Sequence, residues 1–387
     1  MRDRPGTKTS SETDQTTDRT TNRERKAFNN LIKWIEKTWN LKQEHSPIED
    51  IGLFANVIEV GGTGIALTTD GVGTKILVAQ MMGKFDTVGI DCVAMNVNDL
   101  ICVGAKPLAM LDYLAVEDSN PELFDEIGKG LYEGAEKANI SIPGGEIALV
   151  KEMLKGKREG FGFDLVGMGI GQVDPDKIIV GEKVEAGDVL IGIESNGIHS
   201  NGLTLARKVI FEKMGLKVTH ATEELGRTIG EELLRPTHIY VKEILEILER
   251  GVNVKALAHI TGDGFLNLNR IKANRGFVIE NLPEVPSIFK FIQENGGVPD
   301  EKMFETYNMG IGFCACVSET DVSRTLSIIE KHGKKGHKLG HAFSDTEKRI
   351  VIKEKGLIGK DKEFKKARRE EINSILKTGQ KALPQLR

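Results

Sequence analysis

The chain has 387 residues with 53 Lys and Arg against 57 Asp and Glu, a formal net charge of −4, which gives no broad basic surface for nucleic acid. No run approaches the roughly 18 uninterrupted apolar residues a membrane span needs, and the start lacks the apolar stretch of a secretory leader, so a cytoplasmic protein with no nucleic-acid or membrane partner is expected. The length exceeds what one hydrophobic core organises, which implies two domains, and 43 glycines suit tight turns and close backbone approach to a small ligand. Cys92, Cys102, Cys314 and Cys316 match neither a CxxC pair nor a zinc spacing and read as reduced core residues.

Residues 1–24 are too polar to offset the entropy of ordering them and read as a disordered tail. Phe28, Leu31, Ile32, Ile35 and Trp39 then recur at helical spacing, predicting an amphipathic helix within 25–45 that docks on the body or on a partner. Two strands, Val57 to Val60 and Gly64 to Thr69, flank a glycine turn and form a hairpin leading into Asp70. A helix over Asp91 to Val103, a strand over Ala109 to Val116, a helix over Pro121 to Ala138, a glycine turn at Pro143 to Glu146 and a strand over Phe163 to Ile170 complete a first domain, 46–172. Gly167, Gly169 and Gly171 lack dinucleotide-fold spacing and read as a strand of small residues packed closely.

The Asp174-Pro175 turn marks the boundary to a second domain, 173–355. It is expected to hold strands over Val189 to Ile193, Val254 to His259, Gly276 to Ile279, Gly310 to Val317 and Arg349 to Ile352. Helices are expected over Leu203 to Met214, Pro236 to Arg250 and Val322 to His332. A charged tail, 356–387, ends in a helix over Asp361 to Leu376.

Two runs carry the chemistry. TTDGVGTK (Thr68 to Lys75) and NDLICVGAKP (Asn98 to Pro107) set polar groups among glycines inside apolar sequence. A buried carboxylate without a cation is costly, so Asp70 and Asp99 read as ligands of Mg2+ carrying a nucleotide phosphate. A turn aspartate and a helix-surface carboxylate are the plainer alternatives. Gly71, Gly73 and Thr74 would present backbone N–H groups to phosphate, with Lys75 as a point charge. Asp91 is divided between supporting the metal and capping a helix; Asn96 and Asn98, between the nucleotide and stitching helix to sheet. In the second domain, Ser195, Asn196, Gly197, Ser200, Asn201 and Gly202 form a loop opening a helix, a favourable place for an anion. His259, Thr261, Gly262 and Gly264 form either a second phosphate-facing loop or a strand-ending turn.

Together DGVGTK (Asp70 to Lys75), GIDCVAMNVNDLICVGAKPL (Gly89 to Leu108), LDY (Leu111 to Tyr113), GGE (Gly144 to Glu146), SNGIHSNGL (Ser195 to Leu203), LLRPTHIYVK (Leu233 to Lys242), HITGDG (His259 to Gly264) and YNMGIGF (Tyr307 to Phe313) resemble aminoimidazole ribonucleotide synthetase, or phosphoribosylformylglycinamidine cyclo-ligase. DxxxxGAxP marks the wider ATP-dependent superfamily; SNGIHSNG with HITGxG selects this member. The resemblance implies a homodimer of two α+β domains whose first-domain sheets join as a dimer-spanning β-barrel-like core. It implies ATP and Mg2+ as cofactors, with K+ left open, and formylglycinamidine ribonucleotide as the small-molecule substrate. It also implies a nucleotide contact at Gly144 and Gly145, Glu146 as a third Mg2+ ligand, and His199, Asp99 and Lys75 as catalytic residues.

The chain departs from the pattern before the first strand, in IALVKEML after GGE, and at Asp263. A superfamily kinase or synthetase with another substrate, and a non-catalytic nucleotide-binding assembly protein, are the competing readings. Loss of Asp70, Asp99 or Lys75 would mark the last, and all three are present.

Overall fold

The computed structural model describes residue 23, residues 26–41 and residues 46–381; nearly all of the polar tail expected over 1–24 lies outside the described residues. Helix α1 (residues 26–36) runs into a 3-10 turn, Lys37–Asn40. Phe28, Leu31 and Trp34 on it are each more than half exposed, so α1 does not dock on the body of its own chain.

The first sheet contains β1 (Asn56–Val60), β2 (Thr63–Gly71), β3 (Lys106–Val116), β4 (Ser141–Leu149) and β5 (Phe163–Val173), in the order β1-β2-β5-β3-β4. All pairs are antiparallel except β3 with β4. Helices α2 (Lys75–Met82), α3 (Asp86–Cys102) and α4 (Pro121–Ala138) complete this unit. Strand alternation aims Ala66, Thr68 and Asp70 of β2, and Leu165, Gly167 and Gly169 of β5, at α3. A Cβ on Gly167 would stand 2.5 Å from Asn96 Nδ2, so the glycines of β5 let α3 lie almost on the sheet backbone. The other face is uncovered, with Tyr113 and Met168 exposed on it.

The second unit holds β6 (Val189–Glu194), α5 (Leu203–Arg207) running into a π-helical turn, Lys208–Lys213, a short hairpin of β7 (Ala221–Thr222) and β8 (Arg227–Thr228), α6 (Ile229–Leu233), α7 (Val241–Glu249) and β9 (Val254–His259). It continues through β10 (Arg275–Ile279), α8 (Ser287–Gly296), α9 (Asp300–Thr306), β11 (Ile311–Val317), α10 (Val322–Lys331), β12 (Gly336–Ser344), β13 (Ile350–Ile352), β14 (Leu357–Lys360), β15 (Glu363–Lys366) and α11 (Arg369–Lys381). The sheet order is β15-β14-β13-β10-β12-β6-β11-β9. No helix among the described residues is long and apolar enough to cross a membrane.

Within one chain neither sheet closes on itself. Several expectations are corrected. The Pro143 to Glu146 segment is not a turn but lies within β4. Helix α3 begins at Asp86, which puts Asp91 in its interior and rules out the N-cap role. The helix expected from Pro236 starts at Val241, because Arg235 to Tyr240 runs as an irregular strap. The charged tail contributes β14 and β15 before its helix, and Ile372 of α11 joins Val278, Phe343 and Val351 in a small apolar cluster.

Candidate active site

The two units meet along α3, whose polar residues divide between the sheet and the strap. On the sheet side Asn96 bonds the backbone of Asp70 in both directions, accepting from its N–H at 3.2 Å and donating to its carbonyl at 3.2 Å, and also donates to Cys92 O. On the strap side Asp91 Oδ1 accepts from both the N–H and the hydroxyl of Thr237 at 2.7 Å. Asn98 donates to His238 O at 2.8 Å and accepts from Tyr240 N–H at 3.0 Å. Both amides are buried and bound to protein groups, so Asn96 and Asn98 hold the frame instead of reaching a nucleotide.

Lys75 and Asp91 depart from their expected roles. The Lys75 ammonium lies 2.7 Å from Asp91 Oδ2, both side chains are fully buried, and Lys75 also donates to Arg235 O at 2.6 Å. Lys75 is therefore no free point charge for phosphate, and Asp91, saturated by Thr237 and Lys75, is not available to a metal. Burial lowers the Lys75 pKa, opposed by the Asp91 charge.

Asp70 and Asp99 stand differently. Asp70 ends β2, where its Oδ1 accepts the Gly71 N–H at 2.7 Å. Its carboxyl pKa is raised to about 6, by burial first and by the Asp99 charge second, with Gly71, His259 and Arg270 opposing. Asp70 is thus a largely buried carboxylate that feels the charge of a second one from a separate segment. Asp99 Oδ1 lies 2.9 Å from His259 Nδ1, with the Asp99 side chain 12 % exposed and that of His259 fully buried. Hence His259 touches Asp99 and is not presented to a substrate.

No group of three or more His, Cys, Asp or Glu able to hold a metal occurs among the described residues. Glu146 is not gathered with Asp70 and Asp99. It pairs with Tyr113 on exposed β4 and points to the uncovered face of the sheet, opposite to Asp70. Gly144 and Gly145 lie on the same exposed strand.

Asp112 was missed by the sequence reading. Asp70, Gly167, Asp112 and Gly145 form one row across β2, β5, β3 and β4, so the two acids face the same way across a residue without a side chain. Burial raises the Asp112 pKa. The signal was present in LDYLAV, where an acid interrupts an apolar strand.

Gly73 has φ +66° and precedes α2, whose first turn is closed by Ile76 N–H on Gly73 O at 3.3 Å and Leu77 N–H on Thr74 O at 3.2 Å. Thr74 meets Thr204, at the start of α5, hydroxyl to hydroxyl at 3.2 Å. The 70–75 loop of one unit is thereby set against the 195–202 loop of the other. In that loop Ser195 donates to Asn308, Asn308 donates to Gly197 O, and Ser200 bonds the Thr237 hydroxyl at 3.0 Å. Asn196 Oδ1 is buried without a partner, and Asn201 Oδ1 would lie 3.2 Å from a Cβ on Gly262, which brings in the loop with Thr261. His199, at φ +59°, is buried; burial and His238 hold its pKa well below the ordinary value. The lowered pKa favours the uncharged imidazole.

Two family models match the chain in order: AIR synthase related protein, N-terminal domain, over residues 53–173, and AIR synthase related protein, C-terminal domain, over residues 185–353. The phosphoribosylformylglycinamidine cyclo-ligase of Methanobrevibacter smithii is 50 % identical over 285 residues, 74 % of this chain and 82 % of that protein. That of Pyrococcus furiosus is 49 % identical over 308 residues, 79 % of this chain and 88 % of its own length. Among solved structures, the HypE-HypF complex is similar at 21 % identity and TM-score 0.55, covering 76 % of this chain and 88 % of that one. Thiamine-monophosphate kinase from Stenotrophomonas maltophilia is similar at 15 % identity and TM-score 0.55, covering 82 % and 93 %. At these identities the structural likeness speaks for the fold.

Proposed function

The chain belongs to the AIR synthase related family, and from that premise we propose that it is an ATP-dependent cyclo-ligase of purine biosynthesis. It closes the imidazole ring of formylglycinamidine ribonucleotide, giving aminoimidazole ribonucleotide, ADP and phosphate. ATP phosphorylates the formyl amide oxygen, the amidine nitrogen attacks the activated carbon, and phosphate leaves with that oxygen. Converting a poor oxide leaving group into phosphate and holding the nitrogen near the carbon supply the acceleration.

The observation that carries this reading is the placement of Asp70, which accepts the Gly71 N–H at 2.7 Å a few residues before α2 and lies near enough to Asp99 to feel its charge. These two carboxylates would hold Mg2+, which would supply neutralisation of the phosphate charge. The N–H groups of Gly73 and Thr74 face phosphate oxygens. Ser195, Asn196, Gly197, Ser200, Asn201 and Gly202, with Thr261 and Gly262, receive the substrate, and the unpartnered Asn196 Oδ1 gives it an acceptor. Neutral His199, with Nδ1 buried and unpartnered, orients substrate as a hydrogen-bonding group and carries no net charge. K+ stays an open addition to this scheme.

The working unit is a cytoplasmic homodimer. Its support is the uncovered face of the first sheet, where Tyr113 and Met168 are exposed and a mostly apolar hollow of about 370 Å³ is lined by Ile51, Phe54, Leu67, Thr69 and Met168. A second copy laid on this face buries it and offers its own α1 a surface.

The test is purified protein with formylglycinamidine ribonucleotide, ATP and Mg2+, followed for aminoimidazole ribonucleotide. Turnover that collapses in Asp99→Asn is expected. Tight ATP binding with no product would reject this substrate in favour of another superfamily reaction.

A further inference from the structure

Asn98 fixes the proton on a neighbouring histidine through two backbone groups whose polarity is not in question. The Tyr240 N–H can only donate, and it reaches Asn98 Oδ1 at 3.0 Å; the His238 carbonyl can only accept, and it lies 2.8 Å from Asn98 Nδ2. The Asn98 amide therefore has one orientation, and the group it turns to His259 Nε2, 3.4 Å away, is the NH2 donor. A ring nitrogen facing a donor must be the bare one. The His259 proton then sits on Nδ1, 2.9 Å from Asp99 Oδ1.

We infer that His259 is a positioning residue: through its Nδ1–H it donates to Asp99 Oδ1, ties that oxygen to the protein and leaves Oδ2 for the cation. This deepens the assignment of Asp99 as a Mg2+ ligand and rests on it. The arrangement runs from the strap through Asn98 and His259 to the carboxylate, so the second domain sets the rotamer of a ligand in the first. Neither the fold nor the overall charge of the cleft requires it. A carboxylate with a free rotamer would hold the ion less well, and groups of this kind commonly contribute about 10- to 100-fold to metal affinity.

Two isosteric variants separate positioning from bulk. The amide nitrogen of Asn takes the place of Nδ1, whereas that of Gln takes the place of Nε2. Mn2+ binding to the full-length protein with a non-hydrolysable ATP analogue, read from the electron paramagnetic resonance of free Mn2+, is expected to weaken about tenfold or more in His259→Gln. In His259→Asn it should stay within about threefold of wild type, with both variants matching the wild-type circular dichroism. Equal losses in both variants, or wild-type binding in both, would overturn the inference. The 15N spectrum of the wild-type His259 ring gives a reading independent of any variant: protonated Nδ1 with bare Nε2 is expected, and protonated Nε2 refutes it. A wild type that takes up no Mn2+ with nucleotide would instead reject the cleft assignment itself.

Discussion

The Lys75 ammonium and the Asp91 carboxylate form an ion pair 2.7 Å apart with no solvent on either side chain, and through Thr237 and Arg235 O the pair fastens α3 to the strap of the second unit. Removing one partner leaves an uncompensated charge inside the protein. Lys75→Met should cost about 3–5 kcal/mol in urea unfolding, while the folded fraction keeps its nucleotide affinity. Wild-type stability combined with lost ATP affinity would return Lys75 to the phosphate.

Asp70 makes the ligand-free protein respond to pH. Its folded-state pKa of about 6 lies above the ordinary value of 3.8, so between these values the native state holds a proton the unfolded chain has released, and stability falls as pH rises through the window. Asp70→Asn should remove that slope and stabilise the protein at pH 7 to 8 by on the order of 2 kcal/mol, at the expense of Mg2+-dependent nucleotide binding. Thermal unfolding across pH 4 to 8 decides the matter, and parallel profiles for the two proteins would exclude Asp70 as the cause.

The 195–202 loop depends on a missing side chain. Gly202 has φ +73°, a Cβ there would lie 2.1 Å from Tyr307 Cε1, and the Tyr307 hydroxyl donates to Gly202 O at 3.0 Å. Gly202→Ala combines left-handed strain with overpacking and should cost about 2–4 kcal/mol. Denaturant unfolding reads it; a loss under about 0.5 kcal/mol, the ordinary range for surface substitutions, would show that the loop yields.

Met168 lies on the uncovered face of the first sheet. Met168→Glu places a charge where the proposed second copy must pack, so sedimentation should shift from dimer towards monomer with secondary structure unchanged. A variant dimerising as tightly as wild type would move the interface elsewhere.

Much of this architecture was legible in the chain because local signals were strong. The glycine turn between β1 and β2, the alternation leading to Asp70 and the small residues of β5 each declare themselves in a few residues. What stayed hidden depends on partners distant in sequence. The stripe on α3 carries Asp91 and Asp99 alike, and periodicity cannot say that one meets a lysine while the other meets a histidine 160 residues away. Gly144 to Glu146 reads as a turn because propensity is blind to the parallel pairing with β3 that makes it a strand. The 357–366 stretch reads as charged tail for the same reason: its strands exist by addition to a sheet edge.

The most direct test of the cation site is anomalous scattering from crystals grown with Mn2+ and a non-hydrolysable ATP analogue. The account predicts a peak in contact with both the Asp70 and Asp99 carboxylates and with phosphate oxygens of the analogue. A metal bound to the triphosphate with neither carboxylate in reach, or Asp99 turned away from it, would contradict the account.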